Sequence, residues 1–274
     1  MPSYKKTLIN TVQLPEFQPW TDEYGMTLDN DKGDVGGNGN LLTAHYVVGL
    51  VKKGITSSEK ERIIQVYKNN FRFPGVLMRA PSKPDDRNAH DDIIGLMGAD
   101  ASLNPDSKDR QLTRAVYEHG KNNYCDGIDE TDKEKLSFNI KIYGWLNKLF
   151  LGKVRWTWNN VVSNKFHVSS WLQRRMEMMA TMQMSLKERV NPIYWLYWAA
   201  VMYGWAKSKK DDHEDDDILR FHMAVASQGY GFLTNYICRK VREKVVADGG
   251  LGLILGEYFE KPNHPLVNLL KDIK

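Results

Sequence analysis

Cysteine is scarce: the 274 residues include two, Cys125 and Cys238, far apart and in no ligand or redox spacing. That excludes a disulfide framework and a clustered zinc site, and it makes a reducing compartment the default. Long apolar runs are also missing. The longest uncharged stretch, Val190 to Ala206, is broken by Pro192 and crowded with aromatics, short of the roughly 20 apolar residues a membrane span needs. No membrane segment is expected. The opening MPSYKKTLINTVQLPEF lacks the apolar stretch and small-residue site of a secretory leader. No excess of one charge stands out either: 38 Lys and Arg face 34 Asp and Glu, for a formal net charge of +4. The two signs are mixed along the chain, whereas a surface built on counterion release concentrates its basic residues, so dedicated nucleic-acid binding is not expected. No Gly-x-Ser-x-Gly, His-Glu-x-x-His, P-loop or dinucleotide pattern occurs, which argues against serine-hydrolase, zincin and nucleotide chemistry. No cofactor and no metal are expected.

What is present is an ordinary globular composition, 42% hydrophobic and 26% charged, which argues against a disordered or rod-like chain. Residues 1–40 are rich in Pro, Gly, Asn and Asp and read as an extended arm with a Gly/Asn-rich loop; 41–274 read as a single helical domain. Leu41, Ala44, Val48 and Val51 recur at helical spacing, with Asn38 or Asn40 as the cap. Ser58 and Glu61 have capping-box spacing for a second helix reaching about Asn70. Phe73-Pro74-Gly75 is turn chemistry and 81–86 a proline-rich loop, after which a helix starts near Asp91. Further helices are expected at about 107–120, 136–151, 170–187, 192–208, 216–227, 232–248 and 265–273. Asn191-Pro192 supplies a cap followed by a first-turn proline, a device that His264-Pro265 repeats. Ser170 with Gln173 has capping-box spacing. Strand-like alternation is scarce, so the fold class is all-α: a helical-hairpin assembly closing as an α/α toroid, an incomplete barrel. The best linker candidate is 121–135.

Several constellations carry chemistry. Asp91 and Asp92 open a helix after a loop, and adjacent carboxylates at a cleft rim can split their pKa values into an acid and a base, as glycoside hydrolysis requires; the bland alternative is a cap and a first-turn acid. His90 and Arg87 lie beside them. Trp156 and Trp158 alternate in a polar segment and are candidates for a sugar-stacking platform. Trp195, Trp198, Met202 and Trp205 recur on one helical face and read as core, with a platform for stacking sugar rings or bases as the alternative. Met176, Met179 and Met182 share a face, leaving Met178 and Met184 for a contact with another subunit. The run Asp211 to Asp217 reads as a solvated loop capping the next helix, with a cation site as its alternative. Asp29, Asp31 and Asp34 are similar to a calcium loop, but Gly33 and Asn40 stand where ligands should be.

Three segments, Gly37-Asn38-Gly39-Asn40-Leu41-Leu42-Thr43-Ala44, Asp91-Asp92-Ile93-Ile94-Gly95, and Tyr258-Phe259 followed by His264-Pro265-Leu266, together resemble proteins of tailed bacteriophages. The aromatic helix around Tyr197-Trp198-Ala199-Ala200 fits the same pattern. More distantly, helices interrupted by Gly-Asn and Asp-Asp loops resemble α/α-toroid enzymes acting on polysaccharides, a fold-level analogy that transfers no catalytic residue. The resemblance implies a phage-encoded, virion-associated protein, found in the virion or the host cytoplasm, that recognises a bacterial surface glycan. If it is an enzyme, it is a glycoside hydrolase or lyase, with Asp91 and Asp92 catalytic and Trp156, Trp158, Asn38, Asn40 and His45 binding substrate. The rival expectation is a non-catalytic structural component working through contacts with other phage proteins, with self-association as a variant.

Overall fold

The first regular element opens on Gly39 and Asn40, and the asparagine amide ties it to neighbouring chain. In the computed structural model, which describes residues 26–27, 39–80, 83–87, 90–122, 176–208 and 214–251, α1 runs Gly39–Lys53. Asn40 lies inside this helix and does not cap it. Its amide donates to Met78 O at 2.9 Å and Arg79 O at 2.8 Å and accepts from Asn70 Nδ2 at 2.6 Å. Helix α2, Ser57–Asn69, starts one residue before the expected Ser58, because Thr56 and Glu59 form the reciprocal capping box. Ser58 and Glu61 have the same spacing, but Thr56 follows the left-handed Gly54 (φ 97°) that ends α1, so the chain re-enters helical geometry there.

Strands β1 (Phe71–Phe73), β2 (Val76–Ala80) and β3 (Lys83–Arg87) form an antiparallel sheet in sequence order. The Pro74-Gly75 turn joins the first two as its chemistry suggested. Gly75 has φ 86°, and a Cβ there would meet Ala115 O and His119 Cβ at 2.4 Å, so glycine is required twice over. The expected loop over 81–86 is corrected to the edge strand β3. Its proline, Pro84, suits an edge, where no partner needs the missing N–H.

Helix α3 spans His90–Leu103. The expected single helix over 107–120 divides into a 3-10 turn, Ser107–Asp109, and α4, Gln111–Asn122. Helix α5 covers 176–185, α6 Pro192–Lys207, α7 Glu214–Ser227 and α8 Phe232–Ala247. The described residues are thus mostly helical. Helix α7 starts two residues before the expected Asp216. At α6 the expected cap is found, with Asn191 Oδ1 accepting from Ile193 N at 3.0 Å ahead of Pro192. The expected helices at 136–151 and 265–273, the Ser170 and His264 caps, the acidic triad 29–34 and most of the 121–135 linker lie outside the described residues.

Helix α3 is the central element. It packs against α1 on one side and α7 on the other, and α8 joins α7 to α6. Two glycines set the approach: a Cβ on Gly95 would meet Leu41 Cα at 2.8 Å, and one on Gly98 would meet His222 Nδ1 at 2.2 Å. Met26 and Thr27 are buried against α1, where Thr27 N donates to Thr43 Oγ1 at 2.9 Å. Every residue of α5 is buried, including the polar Glu177, Thr181, Gln183 and Ser185. Met178 and Met184, expected to be available to another subunit, are inside with the other methionines. Five methionines suit this position because the flexible thioether fills gaps between several facing helices.

Helix α6 buries Tyr194, Trp198, Met202 and Trp205, so the inward stripe passes through Tyr194, and Trp195 sits at its edge, donating to Thr234 Oγ1 at 3.2 Å. Trp198 has no exposed surface. Trp198→Ala is expected to cost roughly 3–5 kcal/mol in chemical denaturation, the range of large aromatic truncations in cores; a loss below about 1 kcal/mol would contradict its interior role.

Candidate functional site

Helix geometry decides how Asp91 and Asp92 act, since neighbouring residues point about 100° apart around the axis. Asp91 turns outward and pairs with His90 Nδ1 at 2.6 Å, its side chain one-third exposed. Asp92 turns inward and is fully buried. The structure therefore keeps the two adjacent but does not aim them at one cleft. His45 and Asn40 are also fully buried, with the Asn40 amide engaged by α2 and β2 as described. Trp156, Trp158 and Asn38 lie outside the described residues.

His45 has a partner that the sequence does not announce. Its Nδ1 meets Nε2 of His222 on α7, with ring centroids 4.3 Å apart and planes inclined by 21°. Both rings have no exposed surface, and His45 Nε2 and His222 Nδ1 have no hydrogen-bond partner among the described residues. A nitrogen-to-nitrogen bond between imidazoles needs one donor and one acceptor, so the two rings cannot both be charged, and complete burial favours the neutral form of each. Desolvation, and then the charge of His222, holds His45 well below its ordinary value; desolvation lowers His222 to about 3. Among the described residues no group of three or more His, Cys, Asp or Glu could hold a metal ion, and the pair reads as an internal contact between α1 and α7 across Gly98.

An open cleft lies elsewhere. It has a volume of about 460 Å³ between α2, the C-terminal end of α3 and the start of α4, with Glu61, Lys68, Asp100, Asn104, Asp109 and Gln111 as its polar lining and Ile64 and Leu112 as apolar patches. Lys68 Nζ donates to Gln111 Oε1 at 3.2 Å, linking two walls. Asp100 at the inner end has a structural duty. Arg110 occupies the cap position of α4, its carbonyl accepting from Arg114 N, but its side chain cannot accept the N–H of the third helical residue. Asp100 does so from α3, accepting Thr113 N and Thr113 Oγ1 at 2.8 Å each, and Asn104 Nδ2 at 2.8 Å. Burial pushes its carboxyl above the usual range, and these hydrogen bonds oppose the rise. Amides and carboxylates facing an aliphatic patch can bind a hydroxyl-rich molecule of one or two rings.

A third locus is buried where α6, α7 and α8 meet. Trp205 donates to Asp217, and the ring lies under Lys244 Nζ at 5.1 Å and the Arg220 guanidinium at 5.6 Å. Lys244 pairs with Asp248 at 2.8 Å. Desolvation raises Asp217 to about 6, against the pull of Lys244. This end of the Asp211–Asp217 run is thus packed inside rather than solvated.

Sequence reasoning missed His222, Asp100 and the cleft, because each depends on residues brought together from distant helices. The exposed apolar side chains of α6 and α8, Ile193, Leu196, Tyr203, Phe232 and Leu233, had a local signal in α6, whose sequence is apolar on every face and so leaves hydrophobics outside whichever face packs inward. No described helix is long and apolar enough to cross a membrane. No protein-family model, no curated protein and no solved structure matches the chain.

Proposed function

We propose that this protein works through protein–protein contacts as a structural component, and that the three-segment resemblance locates it in the particle of a tailed bacteriophage. One observation carries the reading: α6 and α8 present an exposed apolar ridge, in which Phe232 is 89% and Leu196 60% exposed. A contiguous apolar surface of this kind marks an interaction site. The described residues offered for a sugar cleft are mostly committed to the interior: Asp92, Asn40, His45 and Trp198 are all without exposed surface.

The cleft beside Asp100 supports a second reading, recognition of a bacterial surface glycan. In that reading the helical pairs belong to an α/α toroid, and any glycosidase or lyase activity would come from carboxylates such as Asp91 and Asp92 or those of the cleft. Quantitative mass spectrometry of purified phage particles is expected to find the chain at fixed stoichiometry, and host polysaccharide incubated with the isolated protein is expected to release no new reducing ends. Absence from the particle together with sugar release would replace the structural reading with the glycan one.

A further inference from the structure

The ridge on α6 and α8 has an internal order. Trp195 near the start of α6 meets Thr234 near the start of α8, and Trp205 near the end of α6 meets Lys244 near the end of α8, so the two helices run in the same direction. Along α6 the outward stripe reads Ile193, Leu196, Ala200, Tyr203, Lys207. Along α8 it reads Phe232, Tyr236, Arg239, Lys240. Tyr203 and Tyr236 approach with ring centroids 6.5 Å apart. Lys207 lies 5.7 Å from the Tyr203 ring, and Arg239 and Lys240 lie 5.5 and 5.9 Å from that of Tyr236. Against these three cations stands Glu243, which pairs with Arg239 and Lys240. The face therefore changes from apolar at the N-terminal ends, through tyrosine, to cationic further along.

We infer that this face seats an amphipathic helix of another protein, lying antiparallel to α6 and α8, with its apolar stripe on Leu196 and Phe232 and its acidic N-terminal turn on Lys207, Arg239 and Lys240. This rests on the protein-contact reading and adds the partner's chemistry and direction. A groove between two aligned helices takes a third helix by ridge-and-groove packing. It offers no free backbone to an added strand, since helical N–H and C=O groups are bonded internally. Antiparallel placement sets the partner's positive dipole end beside the C-terminal ends of α6 and α8, and carboxylates are most stable in a helix's first turn. A second copy fits poorly, because two-fold pairing of antiparallel faces would lay one copy's apolar end on the other's cations. A lipid surface fits poorly too, since apolar and cationic residues are separated along the helices instead of by depth.

The test uses the full chain and a fluorescent synthetic helix of about 18 residues, five turns, with leucines at helical spacing and glutamates in its first turn. A companion peptide has lysines in place of those glutamates. Fluorescence anisotropy is expected to show saturable binding of the acidic peptide, at least about tenfold weaker binding of the basic one, and loss of both on Leu196→Glu. The double variant Lys207→Glu with Lys240→Glu, exposed or partly exposed positions whose change is checked by circular dichroism, is expected to reverse the preference. Failure of the acidic peptide to bind, equal binding of both peptides, or an unchanged preference in the double variant would overturn the inference. If sedimentation instead finds a dimer that Leu196→Glu dissociates, a second copy is the occupant and the protein-contact reading survives alone. If no peptide binds and Leu196→Glu releases the chain from phosphatidylcholine–phosphatidylglycerol vesicles, both fall.

Discussion

Lowering the pH from about 7.5 to 5 is expected to remove about 2 kcal/mol of folding stability through His222 alone, with His45 acting in the same direction. Both are neutral and fully buried in the fold, with pKa values depressed from the ordinary 6.5, His222 to about 3. A depressed histidine contributes stability that is complete above its unfolded pKa and is lost as the pH falls, because the unfolded chain binds protons that the folded one refuses. At pH 5 His222 sits about 1.5 pH units below its unfolded pKa and well above its folded one, worth about 2 kcal/mol, and His45 is shifted the same way. Protonation of both rings also destroys the contact itself, since two N–H groups would then face each other. Asp217 opposes this trend: raised to about 6, it takes up a proton in the folded state first and returns about 1 kcal/mol by pH 5. Asp100, also raised by burial, leans the same way. Two fully desolvated imidazoles outweigh the partly opposed carboxyls, so urea denaturation should show a net loss of stability at pH 5. Asp217→Asn should steepen the acid loss, and His222→Gln should flatten it at some cost in stability at neutral pH. A wild-type stability that is level between pH 7.5 and 5 would refute the neutral buried pair.

Much of the helical architecture was legible because each helix announces itself locally. Asn191-Pro192 fixes the start of α6, and Trp198, Met202 and Trp205 of the expected stripe face inward, with Tyr194 in place of Trp195. The three strands were not legible. At three to five residues each they are too short for alternation to emerge, and Pro84 of β3 looks like a loop residue until the edge position explains it. Helix limits slipped by a residue or two where competing caps exist, as with Thr56 and Ser58.

The candidate site was less legible still, for a physical reason visible in Asp91 and Asp92. Adjacent acids look like a pair in sequence, but a helix turns consecutive side chains apart, so one meets His90 and the other enters the core. His45 and His222 are separated by 177 positions, and nothing in either segment signals the other. Phe232 opens a helix that was expected, but only the packed structure reveals that α8 turns it outward. Local sequence reports what a helix prefers, and function here depends on which helices become neighbours.

The second large effect belongs to Arg110, which is 3% exposed and donates only to oxygens of the fold. Nε bonds Asn104 O at 2.8 Å and Nη2 bonds Pro105 O at 2.9 Å, just beyond the end of α3. Nη1 bonds Ser185 O at 2.7 Å and Ser185 Oγ at 3.0 Å at the end of α5, and Ala226 O at 3.0 Å at the end of α7. Three helices thus direct their C-terminal carbonyls at one guanidinium. Those carbonyls have no partner within their own helices, and each helix brings the negative end of its dipole. Burial lowers the pKa of Arg110 while nearby Asp100 and Asp106 raise it, and the group remains charged. Arg110→Met keeps much of the side-chain volume but leaves the carbonyls at all three helix ends unsatisfied inside the protein, where each costs about 1–3 kcal/mol less whatever water recovers. The expected total is roughly 3–5 kcal/mol, in the range of a broken buried charge site, and enough to unfold a marginal domain. Arg110→Lys should recover little, because a single ammonium cannot span the fork that reaches three helix ends. Urea denaturation with circular dichroism measures both variants. A loss below about 1 kcal/mol for Arg110→Met, or a lysine variant as stable as wild type, would mean that the three ends are held by packing alone.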